Sequence, residues 1–324
     1  MAEPEPRLVA TLTPESELAD ALGRGLPSIP WAYLSEVEPA RRGSVEAMLV
    51  GSFSRDAPLP DFSTFPRLAF IQRAFTGLDG FPFDRVPPGV RIAGNVGAFA
   101  PFVAEHAVTL ALAAARLIPL SQEMVRAGRL RPAPEQRLLY GSTAVVLGFG
   151  EIGHAIAAML GGFGVRVIAV RRTATPDPAA AEVVGAESFR DVLGQASFVF
   201  ECRPLTARTR GSIGRAELER MRGDAVFVNV GRAATVDEAA LYEHLRTHPE
   251  FRAGLDVWWS ESYREGLLGQ RFPFATLPNV VGTPHCAGYA PGAEERGLRM
   301  AIENLARFFR DGRPLHVVDR AEYP

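Results

Sequence analysis

The chain has 324 residues, of which 47% are hydrophobic and 22% charged, as in an ordinary globular protein with room for two domains. Its net charge of −2 at pH 7 argues against a nucleic-acid partner. The chain has 35 arginines and no lysine, which excludes a Schiff-base lysine and a phosphate-binding lysine. Because it has only two cysteines, we expect a reducing, cytoplasmic environment and no disulfide framework.

The hydropathy pattern predicts neither a signal peptide nor a membrane span. The first six residues are acidic and proline-rich, without the basic and apolar regions of a signal peptide. The most apolar run, residues 107–120, is too short to cross a bilayer and contains Thr109 and Arg116. We therefore expect no membrane partner.

The first third of the chain alternates short apolar runs with a helical pattern. We predict a helix from Ser16 to about Gly23 and a long helix from Pro101 to about Leu120. Such alternation is typical of a small parallel α/β domain. The predicted strands are 7–12, 45–50, 68–74 and 90–93.

From residue 141 onward the strand–helix alternation is more regular, and six strands fit a doubly wound parallel sheet. A final amphipathic helix runs from Glu294 to about Arg310 and stops at Asp311-Gly312. The predicted strands are 143–147, 165–170, 198–202, 225–230, 252–257 and 279–283.

The strongest single motif is Gly148-x-Gly150-x-x-Gly153, which follows an apolar strand and opens an amphipathic helix. This is the context that a dinucleotide-binding fingerprint requires. Gly148 permits the sharp turn, Gly150 lets the backbone approach a pyrophosphate, and Gly153 lets helix and strand pack closely. The sequence therefore predicts a nicotinamide dinucleotide as cofactor.

The residues after the next strand point to the form of that cofactor. Proteins that prefer NAD usually place an acidic residue there to bind the ribose 2′-hydroxyl. This chain has Arg171-Arg172-Thr173, and Arg171 lies 18 residues after Gly153. Because a guanidinium can bind a 2′-phosphate in bidentate fashion, we predict that NADP(H) is preferred and that NAD(H) is possible. The alternative is that both arginines are surface charges.

Three further strand ends carry reactive side chains. Arg232 follows one strand, Asp256 and Glu261 the next, and His285 lies in a Pro/Gly turn after the last. Ligands of open α/β sheets bind outside the carboxyl ends of the strands. Ketone reduction needs a proton donor and a cation for the oxygen on which charge develops. His285 fits the first role, Glu261 would hold its ring, and Arg232 fits the second.

Together these pieces resemble the D-isomer-specific 2-hydroxyacid dehydrogenases from about residue 68 to the C-terminus. The matching motifs are Val103-Ala104-Glu105-His106, Gly148-x-Gly150-x-x-Gly153, Pro204-Leu205-Thr206-x-x-Thr209-Arg210-Gly211, Asn229-Val230-Gly231-Arg232, Val236-Asp237-Glu238-x-Ala240-Leu241, Gly254-Leu255-Asp256-Val257 and Thr283-Pro284-His285.

The resemblance implies two Rossmann-like domains. A doubly wound dinucleotide-binding domain, residues 101–287, would be inserted in a smaller flavodoxin-like catalytic domain, residues 1–100 and 288–324. It also implies a homodimer formed through the nucleotide domain and reversible hydride transfer between NADP(H) and a small 2-oxoacid or D-2-hydroxyacid. Glyoxylate and hydroxypyruvate are the first substrates to consider.

The resemblance also assigns roles. Arg232 would bind the substrate, with His285 as acid/base and Glu261 as its partner, and the backbone at Thr76 and Gly77 would bind the substrate carboxylate. Asp256 would lie by the nicotinamide amide. The implied cofactor-binding residues are Gly148, Gly150, Glu151, Ile152, Gly153, Arg171, Arg172, Thr173, Cys202, Pro204, Thr209, Val230, Asp256, His285 and Gly288.

The remaining histidines and cysteines carry no assigned chemistry. We expect His106 to be structural and Cys286 to be a small buried thiol. No spacing of His, Cys and carboxylates predicts a metal site. The long aromatic segment 258–274 is expected to shape the substrate pocket.

Two alternatives keep the fold but change the function. One is an enzyme acting on a non-carboxylate oxyanion such as a phosphonate. The other is a non-catalytic NAD(P)-sensing protein like the C-terminal-binding corepressors. The presence of Arg232, Glu261 and His285 together argues against the second alternative, because a chain without catalysis has no chemical need for all three.

Overall fold

The structure is a computed structural model that describes residues 4–12, 16–51, 59–130, 135–262, 267–269 and 271–323. The chain divides into two compact units. Unit 1 comprises Met1–Phe99 and Pro291–Pro324, and unit 2 comprises Ala100–Ala290.

Strands and helices alternate along most of the described chain. The strands are β1 Leu8–Ala10, β2 Trp31–Tyr33, β3 Ala47–Val50, β4 Phe70–Arg73, β5 Arg91–Ala93, β6 Thr143–Leu147, β7 Arg166–Arg171, β8 Glu182–Gly185, β9 Phe198–Glu201, β10 Val226–Asn229, β11 Arg252–Leu255, β12 Ser260–Ser262, β13 Leu267–Gly269 and β14 Val280–Gly282. The α-helices are α1 Ser16–Gly25, α2 Ala100–Ala115, α3 Ile118–Arg126, α4 Glu151–Gly161, α5 Phe189–Val192, α6 Arg215–Arg220, α7 Glu238–Thr247 and α8 Ala293–Asp311.

Unit 1 is built on a five-stranded parallel sheet in the order β2-β1-β3-β4-β5, which is the flavodoxin-like order. Neighbouring residues of β4 point to opposite faces of this sheet. Phe70 joins the cluster formed with α1 and α8 and stacks on Phe308 at 5.1 Å between ring centroids, whereas Ile71 joins the cluster around Phe62. Apolar side chains on both faces explain why the strands are continuous hydrophobic runs rather than alternating ones.

Unit 2 is built on a seven-stranded sheet in the order β14-β11-β10-β9-β6-β7-β8, and every pairing in it is parallel. The strand order reverses between β6 and β9, as in dinucleotide-binding folds, where ligands lie at this switch point. The predicted fold class, two Rossmann-like α/β units, is therefore confirmed.

Some elements differ from the sequence prediction. The predicted helix 101–120 is two helices, α2 and α3, bent by 54°, with Leu117 between them in the left-handed region at φ 50°. Pro119 explains the break, because a proline inside a continuous helix would clash with the carbonyl of residue 115. That carbonyl instead accepts a hydrogen bond from Arg252 Nη1 at 2.7 Å.

Strands β2, β8 and the β12–β13 hairpin were not predicted. β8 is an edge strand whose four residues are only partly buried, so its sequence lacks the apolar run that marks the central strands. Within the described part of the chain no single helix could cross a membrane, although the bent α2–α3 pair meets the criteria of length and composition.

The long helix of unit 2 packs closely on its central strands. Nine residues of α2 are buried, among them Ala104, Ala111 and Leu110. A Cβ atom built on Gly254 of β11 would lie 2.9 Å from Leu110 Cβ, closer than carbon atoms normally approach. Gly254 is therefore required by packing rather than by a backbone angle.

We expect Gly254→Ala to lower the free energy of unfolding of unit 2 by about 1–3 kcal/mol, because the added methyl overpacks the contact with α2. Gly161→Ala is the matched control, since a Cβ there meets nothing within 4 Å and alanine favours the helix. Urea unfolding followed by tryptophan fluorescence measures both variants. Equal urea midpoints for Gly254→Ala and Gly161→Ala would show that α2 can move to accept the methyl group.

Candidate active site

The glycine-rich turn after β6 has the geometry of a phosphate-binding loop. Gly148 has a φ of 95°, and a Cβ on Gly153 would lie 2.3 Å from the Gly148 carbonyl oxygen. A Cβ on Gly150 would project into open space, and no side chain caps the helix that follows. The first N–H groups of α4, which have no partner within the helix, and the open space at Gly150 fit a pyrophosphate.

The end of β9 holds this turn from the other side. The Cys202 thiol donates to the carbonyl oxygens of Leu147 and Gly148 at 3.2 and 3.0 Å, and desolvation raises the pKa of that thiol. The thiol is therefore a neutral donor that fixes the turn. The following loop is closed by Thr209 Oγ1, which donates to the Pro204 carbonyl at 2.6 Å.

The other predicted nucleotide-binding residues lie around this turn. Glu151 and Ile152 are the first two residues of α4. Arg171 is the last residue of β7, and Arg172 and Thr173 after it are exposed. Their contact with a cofactor remains a prediction.

The loop that presents Arg232 is braced by the buried side chain of Asn229. Asn229 Oδ1 accepts from Gly231 N at 3.1 Å, and Asn229 Nδ2 donates to the Arg232 carbonyl at 3.2 Å. Val230 N and Gly231 N both donate to the Glu201 carbonyl at 3.1 Å. This turn is tied to β9 and β10, and the guanidinium of Arg232 donates through Nη1 to the Gly231 carbonyl at 2.8 Å.

The buried carboxylate of Asp256 organises the turn that carries His285. Oδ1 accepts from Thr283 Oγ1 at 2.6 Å and from Cys286 N at 2.9 Å, and Oδ2 accepts from Ala287 N at 3.0 Å. Burial alone would raise the pKa of this carboxyl, but the hydrogen bonds outweigh it and hold the pKa below 3.8. Asp256 is therefore an anion that fixes both sides of His285.

His106, which the sequence analysis treated as structural, extends this network from α2. Because Thr283 Oγ1 donates to Asp256, its lone pair accepts from His106 Nε2 at 2.9 Å. His106 Nε2 also lies 3.4 Å from Asp256 Oδ1. No sequence spacing could have revealed a contact between residues 106 and 283, which only the packing of α2 on the sheet creates.

The ligand atoms of His106, Asp256 and Cys286 lie within 4.8 Å of one another, so these side chains form a possible metal-ligand group. The Asp256 oxygens already accept three hydrogen bonds from the turn. The donor set therefore fits a hydrogen-bonded brace better than an ion site.

His285 itself has a φ of 53°, in the left-handed region. Histidine tolerates this region better than branched residues do, but the conformation still costs free energy and needs support from its surroundings. The three hydrogen bonds to Asp256 supply that support. Gly288 follows in a turn closed by Tyr289 N and the Cys286 carbonyl at 2.8 Å.

Within the segment 258–274 the structure describes residues 258–262, 267–269 and 271–274. The backbone of Glu261 lies in β12, but its side chain lies outside the described residues, so its pairing with His285 stays a prediction. Trp258 is buried and its Nε1 donates to the Thr283 carbonyl at 2.9 Å, whereas Trp259 is partly buried and stacks on Phe274.

In unit 1, Thr76 and Gly77 lie in the loop after β4. Thr76 Oγ1 donates to the Asn95 carbonyl at 2.9 Å, and the buried Asn95 side chain donates to the Ala74 carbonyl at 2.8 Å and to Gly297 at 2.7 Å. Asn95, which the sequence analysis did not single out, therefore fixes this loop.

The sheet order places the predicted residues of unit 2 side by side. β14, β11 and β10 are consecutive neighbours, so the segments carrying His285, Asp256 and Arg232 follow adjacent parallel strands. β9 and β6, which lead to Cys202 and the glycine turn, come next. The arrangement therefore brings the glycine turn and the segments carrying Arg232 and His285 to one edge of the sheet.

Comparison with known proteins identifies the family. Residues 108–287, more than half of the chain, match the model of the D-isomer specific 2-hydroxyacid dehydrogenase, NAD binding domain. The chain belongs to the D-isomer-specific 2-hydroxyacid dehydrogenases. The resemblance seen in the motifs is confirmed, and this dehydrogenase is an oxidoreductase with a nicotinamide-dinucleotide-binding domain.

Individual relatives agree along most of the chain. The dehydrogenase is 32% identical to a hydroxypyruvate reductase of Thermotoga maritima, covering 75% of this chain and 78% of the relative. It is 30% identical to a glyoxylate reductase of Korarchaeum cryptofilum, covering 89% of each. A solved D-isomer specific 2-hydroxyacid dehydrogenase from Xanthobacter autotrophicus Py2, in complex with NADPH and MES, is 26% identical at a TM-score of 0.82, covering 99% of this chain and all of that one.

We expect Asp256→Asn to destabilise unit 2 by about 1–3 kcal/mol, because the amide turns an N–H group toward donors that need an acceptor. Urea unfolding followed by tryptophan fluorescence is the measurement, and the exposed Asp191→Asn is the control. The pKa of Asp256 is lower in the folded protein than its usual 3.8. The stabilisation that the carboxylate provides is therefore present above pH 3.8 and is lost as the pH falls through the pKa of the folded state. The free energies of unfolding of Asp256→Asn and Asp191→Asn should therefore converge in acid. Equal free energies of unfolding at pH 7 would refute this role of Asp256.

Proposed function

We propose that this dehydrogenase reduces a small 2-oxoacid, glyoxylate or hydroxypyruvate first among them, to the 2-hydroxyacid with NADPH. The observation that carries the proposal is the placement of Arg232, Asp256 and His285 after three adjacent strands. Relatives named hydroxypyruvate reductase and glyoxylate reductase support the substrate class. The NADPH complex of the Xanthobacter dehydrogenase supports the cofactor.

In this proposal Arg232 binds the substrate. A guanidinium presents a planar fork that matches a carboxylate and a neighbouring carbonyl oxygen. The backbone of its turn is fixed by Asn229 and Thr235, whose Oγ1 donates to the Arg232 carbonyl at 2.8 Å. A fixed turn reduces the reorganisation needed when the cation binds the oxygen that becomes negative. Thr76 and Gly77 remain the predicted partners of the substrate carboxylate.

His285 is the proposed acid. It protonates the carbonyl oxygen during reduction and takes the proton back in the reverse reaction. Bound NADPH supplies the hydride. Asp256 fixes the backbone of the turn on both sides of His285, and Glu261 is the predicted partner of the ring.

Arg171 and Arg172, with Thr173, are the proposed ligands of the 2′-phosphate. The glycine turn and the first residues of α4 would bind the pyrophosphate, with Cys202, Pro204, Thr209, Val230 and Gly288 at its margin. NAD(H) lacks the 2′-phosphate and would lose these charged contacts, so it serves as the weaker cofactor.

A homodimer formed through unit 2 also belongs to this proposal. Its support is a set of large apolar side chains of unit 2 that are exposed between residues 118 and 140. These are Ile118, Val125, Leu130, Leu138 and Tyr140.

The first test is the loss of absorbance at 340 nm with NADPH or NADH and a panel of 2-oxoacids, including glyoxylate and hydroxypyruvate. We expect turnover of at least one member, with a higher kcat/KM for NADPH. Phosphonate analogues in the same panel test the alternative substrate class. If no 2-oxoacid of the panel were turned over while NADPH still bound, the proposed reaction would be refuted.

The roles of His285 and Arg232 need separate variants. His285→Asn keeps a residue that tolerates positive φ but cannot donate the proton, so turnover should fall by about 10²–10⁴-fold while NADPH binding is retained. His316→Asn is the matched control, because His316 is exposed and has a φ of 58°. Arg232→Lys should also lose turnover, since an ammonium cannot bridge two oxygens as a fork does. A near-wild-type rate in either variant would show that the residue changed in it is not part of the mechanism.

A further inference from the structure

A charged cluster outside the catalytic residues joins the glycine turn to the end of β7. His154 of α4 lies 2.7 Å from Asp177 through Nε2 and Oδ2. The same Asp177 oxygen lies 3.5 Å from Arg171 Nη1. Asp177 thus stands between the helix that follows the glycine turn and an arginine proposed to bind the 2′-phosphate.

The hydrogen-bond geometry of His154 requires a charged ring. Nδ1 lies 2.9 Å from the Gly150 carbonyl oxygen, and Nε2 faces the Asp177 carboxylate. Both partners are acceptors, whereas a neutral imidazole has only one N–H donor. The Phe149 ring, 4.2 Å away between centroids, lies against the imidazole. Only the doubly protonated ring satisfies both contacts.

The surrounding charges favour that state. Burial lowers the pKa of His154, but the Asp177 hydrogen bond, the Gly150 carbonyl and the nearby Glu151 outweigh it and raise the pKa above 6.5. The hydrogen bond from His154 lowers the pKa of Asp177. Among the described residues, no ion pair or hydrogen bond joins the His154 ring to α2 or β6, the other elements packed on α4.

Asp177 is itself held in place. Its Oδ1 accepts from Ala179 N at 3.0 Å, and its side chain is 14% exposed. A fixed carboxylate beside Arg171 has opposite effects on the two cofactors. It repels a 2′-phosphate, but it can accept a hydrogen bond from a 2′-hydroxyl. Its net charge therefore bears directly on cofactor choice.

We propose that His154 and Asp177 together set the preference between NADP(H) and NAD(H). Protonated His154 cancels the Asp177 charge and leaves Arg171 available to the 2′-phosphate, whereas neutral His154 leaves a carboxylate that competes for Arg171. His154 is thus a positioning residue, and Asp177 a specificity residue. The inference rests on the proposed function, in which Arg171 binds the 2′-phosphate.

The direction of the pH effect follows from the raised pKa. His154 stays protonated below 6.5 and loses its proton as the pH rises through a higher value. Preference for the 2′-phosphate therefore falls over the range above 6.5. The second ionisation of the phosphate itself, at about pH 6, lies below this range and is common to every variant.

The test uses the fragments adenosine 2′,5′-bisphosphate and AMP, which differ only in the 2′-phosphate and need no turnover. Calorimetry from pH 6.5 to 9 gives the ratio of their Kd values. For the wild type we expect the preference for the bisphosphate to fall by about fivefold, the effect in water of one unit charge at roughly 4 Å. NMR titration of the histidines should show a His154 pKa above 6.5 that falls in Asp177→Asn.

Variants separate the two residues. Asp177→Asn should keep a high preference for the bisphosphate over AMP at every pH. His154→Gln can donate to Asp177 but carries no charge, so its preference for the bisphosphate should be low at every pH. Glu182→Gln is the control, since it breaks the Arg166–Glu182 pair on β7 and β8 at 2.8 Å without touching Arg171. It should follow the wild type.

The outcomes also separate this inference from the proposed cofactor. If Arg171→Ala lowers the preference for the bisphosphate but Asp177→Asn retains the wild-type pH slope, the inference is wrong and the proposed cofactor stands. If the wild type binds both fragments equally and Arg171→Ala changes nothing, the 2′-phosphate site and the inference both fail.

Discussion

The parallel alignment of the seven strands in unit 2 is the constraint on which the site depends. It brings the carboxyl ends of β6, β9, β10, β11 and β14 to one edge in a fixed order. Backbone groups beyond the strand ends have no ladder partner and must find others. The turns that carry the glycines, Arg232 and His285 are therefore tied to neighbouring strands, as when the Glu201 carbonyl accepts from Val230 N and Gly231 N.

Two carboxylates of this unit show how such turns are held. Asp256 is 1% exposed and accepts from one hydroxyl and two backbone N–H groups. These three neutral donors, with His106 beside them, fix the turn around His285. Asp177 depends on His154, whose charge changes with pH. The first arrangement suits the proposed position of the acid His285, and the second would make the proposed contact of Arg171 with the 2′-phosphate depend on pH.

Much of the proposed site rests on signals that are local in the sequence. The glycines, the apolar strand before them and Arg171 at the end of the next strand lie within a short stretch, and each constrains its neighbours sterically or by charge. The parallel topology then placed Arg232, Asp256 and His285 at one edge by a general rule. The edge strand β8 and the break at Leu117 were missed, because a half-buried strand lacks an apolar run and apolar periodicity alone does not mark a helix end.

The sequence by itself determined the fold class, the family, the glycine turn and the residue types available for chemistry, since these follow from short motifs and from their order along the chain. Only the tertiary structure decided that His106 donates to Thr283, that Asp256 gathers the turn around a left-handed His285, and that Asp177 bridges His154 and Arg171. The physical reason is that most of these contacts join elements that are separated in the chain, as His106 and Thr283 are. Their partners depend on the strand order and on the close packing of helices against the sheet, which no local pattern encodes.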